Sequence, residues 1–175
     1  MLLFFLALLA QPRPRAVMIY PVERAPFHRV FHSRHQLDLQ QQLRQRFDVD
    51  VHDRVATADA LFDVDIRGAS VLVISGHGCP FAISMRNRGE RTIDASDFER
   101  LQKFFDALAP GATIILQSCD TGLGFAWVVK RAAGPHRQVI AATGEVPPDG
   151  LRIVSLDPLT VTITCERGED CTLRL

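Results

Sequence analysis

Three unbroken apolar runs constrain this chain most: Ser70 to Ser75 (SVLVIS), Ala112 to Leu116 (ATIIL) and Gln138 to Ala142 (QVIAA). Short continuous apolar runs suit strands buried on both faces, which belong in parallel sheets. Parallel neighbours need long crossover connections, usually helices, and the intervening segments supply them. Ser33 with Gln36 has the spacing of a capping box, and Leu39, Leu43 and Phe47 follow at helical intervals. Thr57 opens a short helix through Leu61, and Asp94 caps another with Phe98, Leu101, Phe105 and Leu108 inward, stopped by Pro110-Gly111. Phe125 to Ala133 reads as a helix ended by Gly134-Pro135. Ala16 to Val22 reads as a further buried strand, and Phe47 to Val51 alternates as a strand. The last 25 residues differ: LRIVS, LTVTITC and CTLRL look like antiparallel strands closing one sheet edge. The pattern predicts one α/β domain over residues 16–175, a mainly parallel sheet with helices on both faces.

A length of 175 residues suits a single domain. Twenty basic side chains balance twenty acidic ones, so no net field favours nucleic acid or an anionic membrane. Eleven Phe against one Trp and one Tyr makes the aromatics core filling rather than base-stacking platforms. Residues 1–15 read as an apolar leader, MLLFFLALLA, with a Pro/Arg tether. The apolar run is about half the roughly 20 residues a bilayer span requires. It has the core of an export signal without preceding basic residues, and an extra buried strand explains it equally. Export and a cytoplasmic location both stay open, and membrane contact is expected only through the leader.

Ligands of open parallel sheets bind beyond the carboxyl ends of the strands. Two such ends carry the reactive residues. SVLVIS runs into Gly76-His77-Gly78-Cys79, and ATIILQ runs into Ser118-Cys119-Asp120-Thr121-Gly122. The glycines permit close backbone approach and positive φ. A helix after Cys119 would favour its thiolate through the N-terminal dipole. Other uses of these motifs fail on residue identity. Phe125 stands where a phosphatase loop needs Arg, Phe81 and Trp127 break GxGxxG, and no GxxxxGK[ST] occurs. His77-x-Cys79 lacks further ligands at metal-binding spacing. Taken singly, the Cys would be a small buried residue and the His a structural one. Their pairing on successive glycine-bearing strand ends argues for chemistry.

An apolar strand into SGHG, then one into QSCDTG, resembles the caspase, legumain and gingipain group of cysteine peptidases. SRHQLD at 33–38 is similar to the Arg-His-Gln stretch of legumains. The likeness spans about Ala16 to Ala142; the C-terminal strands match nothing specific. It implies a caspase-like three-layer sandwich and a dyad without metal or other cofactor. Cys119 would be the nucleophile, His77 the general acid/base, and the N–H groups of Gly78 and Cys119 the oxyanion hole. The partner implied is a peptide or protein substrate, and the chain would act as a monomer or homodimer. The chain lacks the length for the extra loops and processing linkers of caspases and legumains. A catalytically inactive interaction module and a non-peptidase thiol hydrolase or acyltransferase stay open beside the endopeptidase.

The same resemblance implies a pocket for the residue before the scissile bond, formed by Arg34, His35, Ser75, Gln117 and Glu145. Arg34 and Gln117 would hold a carboxylate, which makes Asp the expected choice and Asn the second. Glu145, with Asp149 behind it, would turn the preference toward Asn or Arg if it points inward, and Arg34 also reads as a plain surface residue of its helix. Cys79 is expected to be buried. Cys165 and Cys171 flank ERGED, so adjacent strands would bring them together, as a disulfide if the chain is exported and as free thiols otherwise.

Overall fold

The computed structural model describes residues 12–22, 34–86 and 91–175. The leader run and Ser33 of the expected capping box lie outside the described residues. The chain runs β1 (Arg15–Pro21), α1 (Arg34–Leu43), β2 (Asp48–Val55), α2 (Ala58–Phe62), β3 (Ala69–Ser75), β4 (His77–Cys79), β5 (Ala82–Ser84) and β6 (Ile93–Asp94). It continues with α3 (Phe98–Phe105), β7 (Thr113–Gln117), α4 (Phe125–Ala133), β8 (Gln138–Ala142), β9 (Leu151–Leu156), β10 (Leu159–Ile163) and β11 (Thr172–Arg174).

The central sheet has six strands in the order β11-β8-β7-β3-β1-β2. β2, β1, β3, β7 and β8 are mutually parallel, and β11 pairs antiparallel with β8. The chain passes from β1 outward to β2 and then back to β3 on the other side of β1, so the order reverses there. β3 and β7 lie side by side with Ser75 opposite Gln117. That register sends both chains off the sheet at the same level and the same end. The protein is therefore a mixed α/β fold with a mainly parallel sheet and an antiparallel edge.

The two sheet faces are covered differently. Leu72, Ile74, Ile114, Leu116 and Val139 pack against α2, α3 and α4 through Leu61, Leu101, Phe105, Phe125 and Val129. Each such side chain taken fully out of water contributes about 1.5–3 kcal/mol. Met18, Tyr20, Val73 and Ile140 face the opposite way, toward Leu39 and Leu43 of α1 and toward Val161 and Ile163. The second cover is thus one helix and a hairpin, since β9 and β10 form their own antiparallel pair.

This corrects two expectations. Of the C-terminal strands only β11 closes the sheet edge, while LRIVS and LTVTI lie over its face. Phe47 is buried but stands in the turn after α1, where its ring still reaches the same core. Asp94 caps as expected, with Asp97 completing the reciprocal box, although the first turn is 3-10 and α3 proper begins at Phe98. Among the described residues no helix is long and apolar enough to cross a membrane.

Candidate active site

His77 leaves the end of β3 after a single residue. Gly76 continues the ladder by donating its N–H to the carbonyl of Gln117 at 3.3 Å. The chain then folds back: His77 pairs with Ser84, Gly78 with Ile83 and Cys79 with Ala82, and Ile93–Asp94 adds a third strand. This small antiparallel sheet fixes the histidine's backbone. Gly78 sits where nothing larger fits, because a Cβ there would stand 2.2 Å from the Cys119 carbonyl oxygen and 2.9 Å from its nitrogen. A second close approach braces the first: a Cβ at Gly124 would lie 2.4 Å from the Pro80 carbonyl oxygen, which accepts the Phe125 N–H at 2.7 Å. Glycine is needed here for room. None of Gly76, Gly78, Gly122 and Gly124 takes the positive φ that glycine alone adopts freely; the left-handed residue is Asp120, at φ 57°.

Cys119 is half-buried. Its Sγ accepts the Val146 N–H at 3.3 Å. Burial pushes the thiol above its ordinary range; the Val146 N–H opposes this, and the carboxylates of Asp120, Glu145 and Glu166 reinforce it. The expected help from a helix dipole is missing. Cys119 and Asp120 are followed by a three-residue 3-10 turn, Thr121–Leu123, and α4 starts only at Phe125.

His77 and Cys119 line one cavity of about 140 Å³, between the strand ends and a loop. Gly76, Gly78, Gln117 and Ser118 form the strand-end wall. Gln36, Val146, Pro147 and Pro148 form the other. A larger groove of about 380 Å³, between residues 62–67 and α3, lies where the chain enters β3, at the opposite end of the sheet, and holds neither Cys nor His.

The expected specificity residues divide. Gln117 lines the cavity, and Ser75 sits behind it, its hydroxyl donating to Gln117 Oε1 at 2.8 Å. Arg34, His35 and Glu145 do not line it. Arg34 is exposed at the start of α1. His35 Nε2 is 2.7 Å from the Leu151 carbonyl oxygen and ties α1 to β9. Glu145 is exposed and, with Glu166 and Glu169, borders a separate groove over Cys165. Cys79, expected to be buried, is exposed, because β4 is an edge strand of its small sheet.

Gln36 is the residue the motifs missed. It is buried on α1 in register with Leu39 and Leu43, accepts the Tyr20 hydroxyl at Oε1 (3.2 Å) and donates from Nε2 to the Pro148 carbonyl at 3.4 Å. A polar residue on the apolar stripe of a helix is the signal that marks it.

Cys165 and Cys171 form a disulfide. It stands directly under the loop that carries Val146. A Cβ on Gly144 would meet Cys165 Sγ at 2.7 Å, the Thr143 N–H donates to the Cys171 carbonyl, and the Glu166 N–H to the Glu145 carbonyl, both at 3.0 Å. Among the described residues no group of three or more His, Cys, Asp or Glu could hold a metal ion. No protein-family model matches this sequence, and a search of curated proteins finds no significant relative.

Proposed function

We propose that the chain is a cysteine endopeptidase of caspase-like, three-layer architecture, hydrolysing peptide bonds after Asp or Asn through Cys119 and His77. The observation that carries this is the β3–β7 register, which directs both residues off adjacent strands into the wall of a single cavity. A half-buried thiol whose ionisation burial disfavours gives the imidazole a role at the outset. His77 takes the Sγ proton as substrate enters, and Sγ attacks the carbonyl carbon. The oxyanion forms beside the N–H groups of Gly78 and Cys119, whose backbones lie in contact. His77 returns the proton to the leaving amine as the C–N bond breaks, and water then hydrolyses the thioester. The residues need no metal or other cofactor for these steps, and the protein acts as a monomer or homodimer on peptide or protein substrates.

One feature favours a second reading, an inactive interaction module of the same architecture: burial first, and then the carboxylates of Asp120, Glu145 and Glu166, push the Cys119 thiol up, away from the thiolate. Because Cys79 is exposed, a plain alkylating agent reads exposure as well as activation. The deciding experiment uses a Cys79→Ser background and peptides carrying a thiol-reactive group in place of the scissile bond. Labelling of Cys119 that vanishes in His77→Ala, together with peptide turnover, supports the endopeptidase. Labelling without turnover of any peptide points to a thiol hydrolase or acyltransferase, and an unlabelled Cys119 to the inactive module.

A further inference from the structure

The cavity beside Cys119 is lined by no Lys, Arg, Asp or Glu among the described residues. Beside Ser118, whose hydroxyl pairs with that of Thr121, its polar groups away from the dyad are two primary carboxamides, Gln36 and Gln117, 1% and 5% exposed. Each is oriented by a hydroxyl donor. Ser75 holds Gln117 Oε1 at 2.8 Å and Tyr20 holds Gln36 Oε1 at 3.2 Å. The NH2 end of each amide therefore points away from that donor, and that of Gln36 reaches the Pro148 carbonyl on the loop wall. Val146, Pro147 and Pro148 supply the apolar remainder.

We infer that this cavity receives the side chain preceding the scissile bond and selects an uncharged carboxamide, Asn before Asp, with Gln36 as a specificity-determining residue. The inference rests on Cys119 and His77 being the peptidase dyad. A carboxamide offers an oxygen to the glutamine NH2 groups and an NH2 to backbone carbonyls such as that of Pro148, so both its ends find partners. A carboxylate has no cation in the wall, because Arg34 is exposed outside it. A Lys or Arg side chain would be desolvated without a counter-charge, since Glu145 borders a different groove. The volume, about 140 Å³, suits a short side chain.

The test is a set of peptides identical except for Asn, Asp, Gln, Lys or Ala before the cleaved bond. The expected result at pH 7 is a kcat/KM for Asn at least about tenfold above Asp and Lys, a ratio within reach of a site built around hydrogen bonds. Lowering the pH toward about 4 protonates the Asp side chain and narrows its deficit. Gln36→Glu should lower Asn turnover and raise that of Lys, and Gln36→Leu should lower Asn without raising Asp. Circular dichroism and melting report whether these buried substitutions fold. Where they do not, Ser75→Ala, which releases the oxygen of Gln117, should reduce the Asn preference. Turnover that favours Asp or Lys in the unaltered protein, or preferences unchanged in folded variants, overturns the pocket assignment and leaves the peptidase standing. Absence of both turnover and labelling of Cys119 by an Asn-peptide probe overturns the peptidase and the pocket together.

Discussion

The two walls of the cleft are built by different means. The wall made by the ends of β3 and β7 is held by main-chain contacts, with Gly78 wedged on the backbone of Cys119 and Gly124 on that of Pro80. The facing wall adds side chains to its main-chain bonds: Gln36 rests on Tyr20, α1 on β9 through His35, and the loop after β8 on the Cys165–Cys171 disulfide as well as on the Thr143–Cys171 and Glu145–Glu166 backbone bonds. Main chain permits little adjustment without loss of the sheet, whereas side chains exchange one at a time. Chemistry on the first wall and selectivity on the second would divide the labour so that preference changes without disturbing the dyad.

The comparison breaks most visibly on the strand-end wall. Cys119→Ala and His77→Ala should each reduce peptide turnover by at least about 10³-fold and leave the melting temperature nearly unchanged. A His77→Ala protein that no longer melts cooperatively would mean the imidazole is structural. Gly78→Ala should do two things at once, because its Cβ would stand 2.2 Å from the Cys119 carbonyl oxygen. Forcing the strand ends apart should cost about 1–3 kcal/mol of stability and, through misplacement of the reacting groups, about 10²-fold in turnover. Wild-type turnover in that variant would show that the two backbones are free to separate.

The facing wall should show smaller effects, on stability before turnover. Burial pushes the Tyr20 phenol up to about 12, so the fold favours its neutral form. Its contribution is complete below about pH 10 and is lost as the pH rises through 12, to a total of about 3 kcal/mol. Denaturation across that range should therefore show the wild type losing stability relative to Tyr20→Phe; parallel curves would place the phenol in water. Replacing Cys165 and Cys171 by Ser opens a short loop and should cost about 2 kcal/mol. Turnover should fall only mildly, as the support of Val146 slackens. A loss as large as that of Gly78→Ala would put the disulfide hairpin on the same footing as the strand ends.

Elements with an unambiguous period and a clear stop were legible in the sequence. Phe125 to Ala133 and Gln138 to Ala142 occupy those bounds in the structure, because Gly134-Pro135 ends one and a continuous apolar run defines the other. The strand ends carrying His77 and Cys119 were equally readable, since an apolar run must stop where the polar residues begin. What escaped was tertiary. β4, β5 and β6 have two or three residues each, too few for any alternation to register. Gln36 carried two meanings, a capping partner by its distance from Ser33 and a cavity wall by its phase with Leu39. Only the packing of α1 on the sheet exposes the second. The dipole expected at Cys119 failed for a local reason, as Asp120 turns left-handed and leaves a 3-10 turn where a full helix was needed.

The strand order also sets when during synthesis the site can exist. Ser75 and Gln117 are 42 residues apart, and the loop that receives Cys119 Sγ is made later still, with its disulfide support near the end of the chain. A ribosome that has released the chain only as far as Cys119 has produced a thiol and an imidazole with half a cleft between them. If Cys119 and His77 are the proposed dyad, their cleft is complete only once β8 and the hairpin are in place.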